Sequence, residues 1–190
     1  MALSSLIGIA GAMAIVFTRT GEKVLYPIVI ASQTVPIVAL SPILIMWFGY
    51  SIWGKVAVTI LISFFPIVVN TVDGLRATDR EWVQLMKTMG ANGRQIFLKL
   101  QVPQALPSFF SGLKVAATVS VIGATIGEWL GASEGLGFFS RRASNNLQAD
   151  LLFASVFLLS LAGFALFLWI QWLEKKTIPW HYQGAKKKGE

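Results

Sequence analysis

Long apolar runs separated by short polar stretches dominate this sequence, and the runs have the length of membrane spans. A transmembrane helix needs about 20 mostly apolar residues, with a range of about 17–25. Four runs meet this readily: Val24–Phe48, Ile52–Val69, Pro107–Gly127 and Leu151–Leu173. Met1–Phe17 is at the short limit but carries no charged side chain. With no Lys or Arg before Arg19 it lacks the basic start of a secretory leader, so it reads as a fifth span. The pattern predicts an all-α integral membrane protein of about five transmembrane helices.

The second run contains Pro27, Pro36 and Pro42, with Ser32, Gln33 and Thr34 among them. Proline inside a helix removes a hydrogen bond and bends the chain. At membrane depth such a break persists only where protein or a water-filled cavity satisfies the freed carbonyls. Either the bend serves packing, or it forms a wall of a path across the membrane, with Gln33 and Thr34 as candidate lining residues.

The polar stretch Asn70–Leu106 is long but patterned. Thr78-Asp-Arg-Glu81 fits a capping box, with Thr78 as the cap. Trp82, Met86 and Met89 then recur at spacings of four and three, giving one apolar helical face. Gly90 supplies a helix stop. Asn92 with Gln95 reads as a second cap, followed by Ile96, Phe97 and Leu100, and Pro103 is expected to end the run. The apolar face has three possible resting places: the protein's own spans, the lipid interface, or a groove on a partner.

Composition sharpens the membrane reading. Hydrophobic residues are 55% and charged residues 13% of the 190, against about 45–50% and about 25% in soluble domains. The net charge of +7 raises nucleic acid as a partner, but the basic residues flank apolar runs, as an orientation signal does. Thr18–Lys23, Asn70–Leu106 and Glu174–Glu190 hold two, five and five basic residues; Lys55, Arg141 and Arg142 are the three on the other side. Twelve against three places the N-terminus outside and the C-terminus in the cytosol. A start outside without a leader leaves room for a further helix ahead of residue 1.

Candidate chemistry is sparse. There is no cysteine and one histidine, His181, in the polar tail; zinc takes three or four ligands, so no metal site is expected. Lys114 lies about two turns into its span, close enough to the surface to snorkel. Glu128 and Trp129 sit at the far end, as candidates for the mouth of a pathway or as interface anchors. Arg141, Arg142, Asn145 and Asn146 either meet a partner or form a solvated loop. No Gly-x4-Gly-Lys-Ser/Thr loop is present, and no nucleophile stands with a base, so neither ATP hydrolysis nor other catalysis is expected of this chain.

The 70–106 stretch resembles the EAA loop of permeases in ATP-driven, binding-protein-dependent importers: Glu-Ala-Ala, three residues, Gly, nine residues, then Ile-x-Leu-Pro. Here Gly90 is followed by nine residues and Leu100-Gln101-Val102-Pro103, while Gln84-Leu85-Met86 stands in place of Glu-Ala-Ala. Val35–Gly49, Phe65–Gly74 and Gly135-Leu-Gly137 are similar to the nitrate, sulfonate and taurine branch. Ile126–Gly131 and Ile178-Pro-Trp-His181 look most like permeases for the hydroxymethylpyrimidine precursor of thiamine.

The resemblance implies a transport domain over residues 1–173 and a basic cytoplasmic tail over 174–190, in the plasma membrane. The coupling loop to an ATPase would be Gln84, Leu85, Met86, Gly90, Ala91, Leu100, Val102 and Pro103. The implied partners are cytosolic ATP-binding subunits holding ATP and Mg, an extracytoplasmic binding protein, and a second permease copy in a homodimer. This chain would bind no cofactor of its own. The implied solute is a small heterocycle that the Trp129 ring stacks on, with taurine, sulfonate or nitrate as the alternative. The rival readings are a secondary transporter or channel, which needs an ion-coupling site within the spans, and a membrane scaffold subunit.

Overall fold

In the computed structural model, residues 1–18, 21–49 and 51–181 are described. Arg19, Lys186, Lys187 and Lys188, counted above among the basic positions, lie outside the described residues, as does the tail from 182. The described residues form α1 (Ala2–Phe17), a π-turn (Gly21–Leu25), α2 (Tyr26–Ser32), α3 (Ile37–Phe48) and α4 (Ile52–Arg76). Then come α5 (Arg80–Thr88), α6 (Gly93–Ile96), a second π-turn (Phe97–Gln101), α7 (Val102–Gly131), α8 (Leu136–Asn145) and α9 (Ala149–Thr177).

Three helical runs are long and apolar enough to cross a membrane: α4, the unit from α6 through α7, and α9. A fourth results if α1 and Gly21–Ser32, bent by 117°, are taken as one broken span. At 1.5 Å per residue, the 25 residues of α4 extend about 37 Å, beyond the roughly 30 Å of a hydrocarbon core. The stretch Val24–Phe48, expected as one span bent or broken at its prolines, is divided: Val24 and Leu25 end the first π-turn, and α2 and α3 are separated by a break at residues 33–36. Pro36, which has no N–H to donate, becomes the extended N-cap of α3. The Ser32 and Thr34 hydroxyls bond back to the Val29 and Ala31 carbonyls, both at 2.7 Å. The break thus satisfies its carbonyls from within.

α4 and α7 run antiparallel and pack through small residues. Gly112 shows why: a Cβ there would lie 2.5 Å from the Pro66 carbonyl oxygen and 2.7 Å from Asn70 Cβ. Gly74, Gly123 and Gly127 make similarly close approaches along the same seam, the small-residue mode of helix association in lipid. α1 lies parallel to α4 through Ser4, Gly8 and Ala12, all buried, and the Ser4 and Ser63 hydroxyls share a 2.8 Å hydrogen bond. α9 closes the core against α7, with Ile67, Phe110, Leu113, Ile170 and Ile178 in one buried cluster. The boundary expected at 173/174 therefore falls inside α9, because Glu174 and Ile178 are buried.

The antiparallel order sorts the ends. One end gathers the C-termini of α1, α4 and α9 with the loop 77–101; the other gathers residues 131–149 with the start of α4.

Candidate functional site

The loop between α4 and α7 is built from local signals. Thr78 was the expected cap of α5, but Asp79 takes the role: its carboxylate accepts from the Glu81 N–H at 2.9 Å. Thr78 is buried and its hydroxyl is turned back to the Leu75 carbonyl. Glu81 in the first turn and Lys87 in the last complement the helix dipole. α5 ends in a Schellman stop, with Ala91 N–H to Met86 C=O at 2.9 Å and Gly90 N–H to Lys87 C=O at 3.0 Å. Gly90 has φ +83°, the left-handed backbone that glycine adopts without steric cost. Asn92 and Gln95 then form the expected capping box, each side chain bonding the other's N–H at 2.9 Å.

Pro103 does not end this second run. It sits in the first turn of α7, and the π-turn Phe97–Gln101 joins α6 to α7 in one helical unit, Gly93–Gly131. A π-turn bonds five residues back and so absorbs the irregularity that a proline introduces.

The two halves of the loop differ in attachment. No residue of α5 is buried, and Trp82, Leu85 and Met89 are 54%, 48% and 78% exposed. The outward apolar face therefore uses Leu85 where Met86 was expected; Met86 is half-buried. Gln84 and Gly90 are exposed and Ala91 is half-buried. The second half is anchored: Ile96 is buried, and Phe97 packs on Phe17 at 4.9 Å between ring centroids. Leu100, Val102 and Pro103 are half-buried at the start of α7. The expected residues thus form a free segment, 84–91, and a fixed one, 100–103.

Two polar clusters brace this end. Tyr26 donates to Asp73 at 2.8 Å, and the Arg76 guanidinium stacks on the Tyr26 ring at 4.5 Å while pairing with Glu22 at 3.5 Å. Lys114, expected to snorkel, instead pairs with Glu174 of α9 at 3.0 Å. Glu174 is 3% exposed, so the ion pair lies between helices and not at the surface. Sequence reasoning missed it by assigning Glu174 to a tail; the available signal was an acid following an unbroken apolar helix.

The four expected pathway residues divide. Gln33 and Thr34 are exposed at the α2–α3 break. Glu128 and Trp129 are engaged with α8: the Gly137 N–H donates to the Glu128 carboxylate at 2.6 Å, and Trp129 Nε1 donates to Ser140 Oγ at 3.3 Å. Glu128 also lines a cavity of about 440 Å³ with Lys55 and Thr59 of α4 and Ala124 of α7. Among the described residues, no three His, Cys, Asp or Glu side chains gather as a metal site would need.

With this geometry in place, comparison with known proteins gives a consistent picture. The family described as the binding-protein-dependent transport system inner membrane component matches residues 4–179. The chain is 51% identical to the formylaminopyrimidine transport permease protein ThiX of Halalkalibacterium halodurans, over 95% of this chain and 72% of that one. It is 40% identical to a probable ABC transporter permease protein of Haemophilus influenzae, over 93% and 72%. It is 34% identical to the riboflavin transport system permease protein RibX of Chloroflexus aurantiacus, over 84% and 59%.

Proposed function

We propose, from the premise that this chain belongs to the family of binding-protein-dependent transport system inner membrane components, that it conducts a small pyrimidine across the membrane on the energy of a partner's ATP hydrolysis. The carrying observation is the loop. α5 presents an exposed apolar face, and its neighbour α6 is continuous with the membrane-crossing α7. An ATPase that grips Trp82, Leu85 and Met89 pulls on the same segment that ends, through Gly90 and Ala91, at the foot of α7. Leu100, Val102 and Pro103 pass the displacement on, and Gln84 and Met86 flank the grip. ATP and Mg belong to that partner, and this chain supplies the path.

The end that carries the loop also carries Lys23, Arg76, Arg80, Lys87, Arg94, Lys99, Lys175 and Lys176, which supports its facing the cytosol. The opposite end, with Glu128 and its cavity beside Lys55, would receive solute from a binding protein. Gln33 and Thr34 would line the path at the helix break, with a second copy completing its wall.

The solute assignment draws on the similarity to ThiX and on the Ile178–His181 resemblance. RibX, whose name also specifies a flat heterocycle, favours the same solute class. The test is uptake into proteoliposomes holding the permease, its ATPase and its binding protein, comparing labelled formylaminopyrimidine, riboflavin, taurine and nitrate. ATP-dependent uptake of the pyrimidine above the other three is expected. Uptake of taurine or nitrate alone would overturn the solute assignment, and absence of ATP dependence would overturn the importer reading.

A further inference from the structure

At the end opposite the coupling loop, α8 lies across the bundle with Gly137, Ser140 and Ala143 buried against it. Its other face carries Phe138, Arg141, Arg142 and Asn145, at spacings of three, one and three, so that all four share one side of the helix. These four line a cavity of about 430 Å³ with Asn146 and Trp129. No carboxylate is among its lining residues. Glu128, the nearest acid along α7, is held by the Gly137 N–H instead. The dipole of α8 accounts for basic residues in its last turn, but not for the cavity beneath them.

A second cavity, about 800 Å³, lies between α3, α7 and α9. Val38, Thr118, Ile122, Ser160 and Phe164 are among its walls, and Trp129 lines it as well as the polar cavity. Its hydroxyls are turned inward: Thr118, Thr125 and Ser160 donate to the Val115, Val121 and Val156 carbonyls at 2.8, 2.8 and 2.9 Å. The groove therefore offers an apolar surface. From Trp129 to Thr118 it follows α7 for about 17 Å at 1.5 Å per residue, close to the roughly 15 Å depth of one leaflet.

A basic chamber and an apolar groove about one leaflet long, both lined by Trp129, match the phosphate and acyl chain of a phospholipid. We infer that this combined cavity binds one anionic phospholipid. Its phosphate sits between Arg141 and Arg142, Asn145 and Asn146 bond its polar headgroup, and one acyl chain lies along α7 and α9. A free phosphate fits the chamber but leaves the groove unused. An apolar helix fills the groove but brings no anion to the two guanidiniums.

The experiment is to purify the chain from bilayers of phosphatidylglycerol and phosphatidylethanolamine in equal amounts, then measure the lipid retained per protein after detergent exchange. Retention of about one phosphatidylglycerol is expected, with a preference over phosphatidylethanolamine of about thirtyfold from two basic groups at an anionic surface. Arg141→Gln/Arg142→Gln should abolish the preference. Ser160→Phe, which fills the groove and leaves the arginines intact, should lower retention of both lipids. Inorganic phosphate should not displace the lipid. Equal retention of the two lipids by the wild type would overturn the inference. So would an unchanged preference in the arginine variant, displacement by phosphate, or efficient disulfide cross-linking of two Ile122→Cys chains through the groove.

Discussion

Replacing Gly90 tests whether the stop between α5 and α6 sets the geometry that an ATPase grips. The position separates backbone from contact effects, because a Cβ there would meet nothing within 4 Å, while its φ is +83°. An L-residue held in that region costs about 1–2 kcal/mol, and a β-branched one more. A cost of that size lowers the ratio of intact to open stop by a factor of about 5–30. Gly90→Ala should reduce ATP-driven uptake in proteoliposomes by up to that factor, and Gly90→Val by more. Gly90→Asn should stay within about threefold of wild type, because asparagine tolerates the left-handed region. Gly93→Ala is the control: it also meets nothing within 4 Å, and its φ is not in the left-handed region. Insertion, followed by yield and gel filtration, should be unchanged throughout. Wild-type uptake by the valine variant would refute the role of the stop, and an asparagine variant as damaged as valine would refute the backbone explanation.

Gly112→Ala places a Cβ 2.5 Å from the Pro66 oxygen and should cost about 1–3 kcal/mol by overpacking, seen as a lower thermal midpoint in detergent. Gly163→Ala meets Val121 only at 3.5 Å and should melt near wild type; equal losses in the two would mean that the α4–α7 seam is not specially tight. The chain has no cysteine, so Thr88→Cys and Glu134→Cys report the two ends separately. In intact cells an impermeant thiol reagent should label position 134 and not 88, and the reverse pattern would invert the assigned topology.

How much was legible in the sequence depended on the range of the interaction. The length of the apolar runs located α4, α7 and α9, and the Asn92–Gln95 box and Gly90 stop were readable because their partners lie within five residues. Adjacent Thr78 and Asp79 are both good caps, and the choice between them was made by burial of Thr78, a tertiary fact. Hydropathy could not place the division of Val24–Phe48, since both halves are apolar; its prolines signalled a break, which the structure puts at residues 33–36. The pairing of Lys114 with Glu174 spans 60 positions and needs α7 and α9 already packed. The Glu128 contact with Gly137 required knowing that α8 folds back onto the end of α7. The loop between α4 and α7 was thus visible as a local pattern, while the opposite end was visible only as a set of charges.

The glycine seam between α4 and α7 also decides which parts of the molecule can move. At Gly74, Gly112, Gly123 and Gly127 the opposing helix approaches closely with both main chain and the side chains of Ser108, Asn70, Ile62 and Lys55, which leaves little room for relative motion. A Cβ at any of the four would lie 2.5–3.1 Å from opposing main chain, so the joint is keyed and the pair forms one stiff beam. Any stroke entering through α6 therefore reaches both helices undivided. Spacing is wider at two other places. α9 meets the beam at Gly163 with ordinary van der Waals spacing, and α2 and α3 are separated by a break that already carries its own hydrogen bonds. Under the importer mechanism proposed above, opening would carry this stiff pair past its neighbours at those two places.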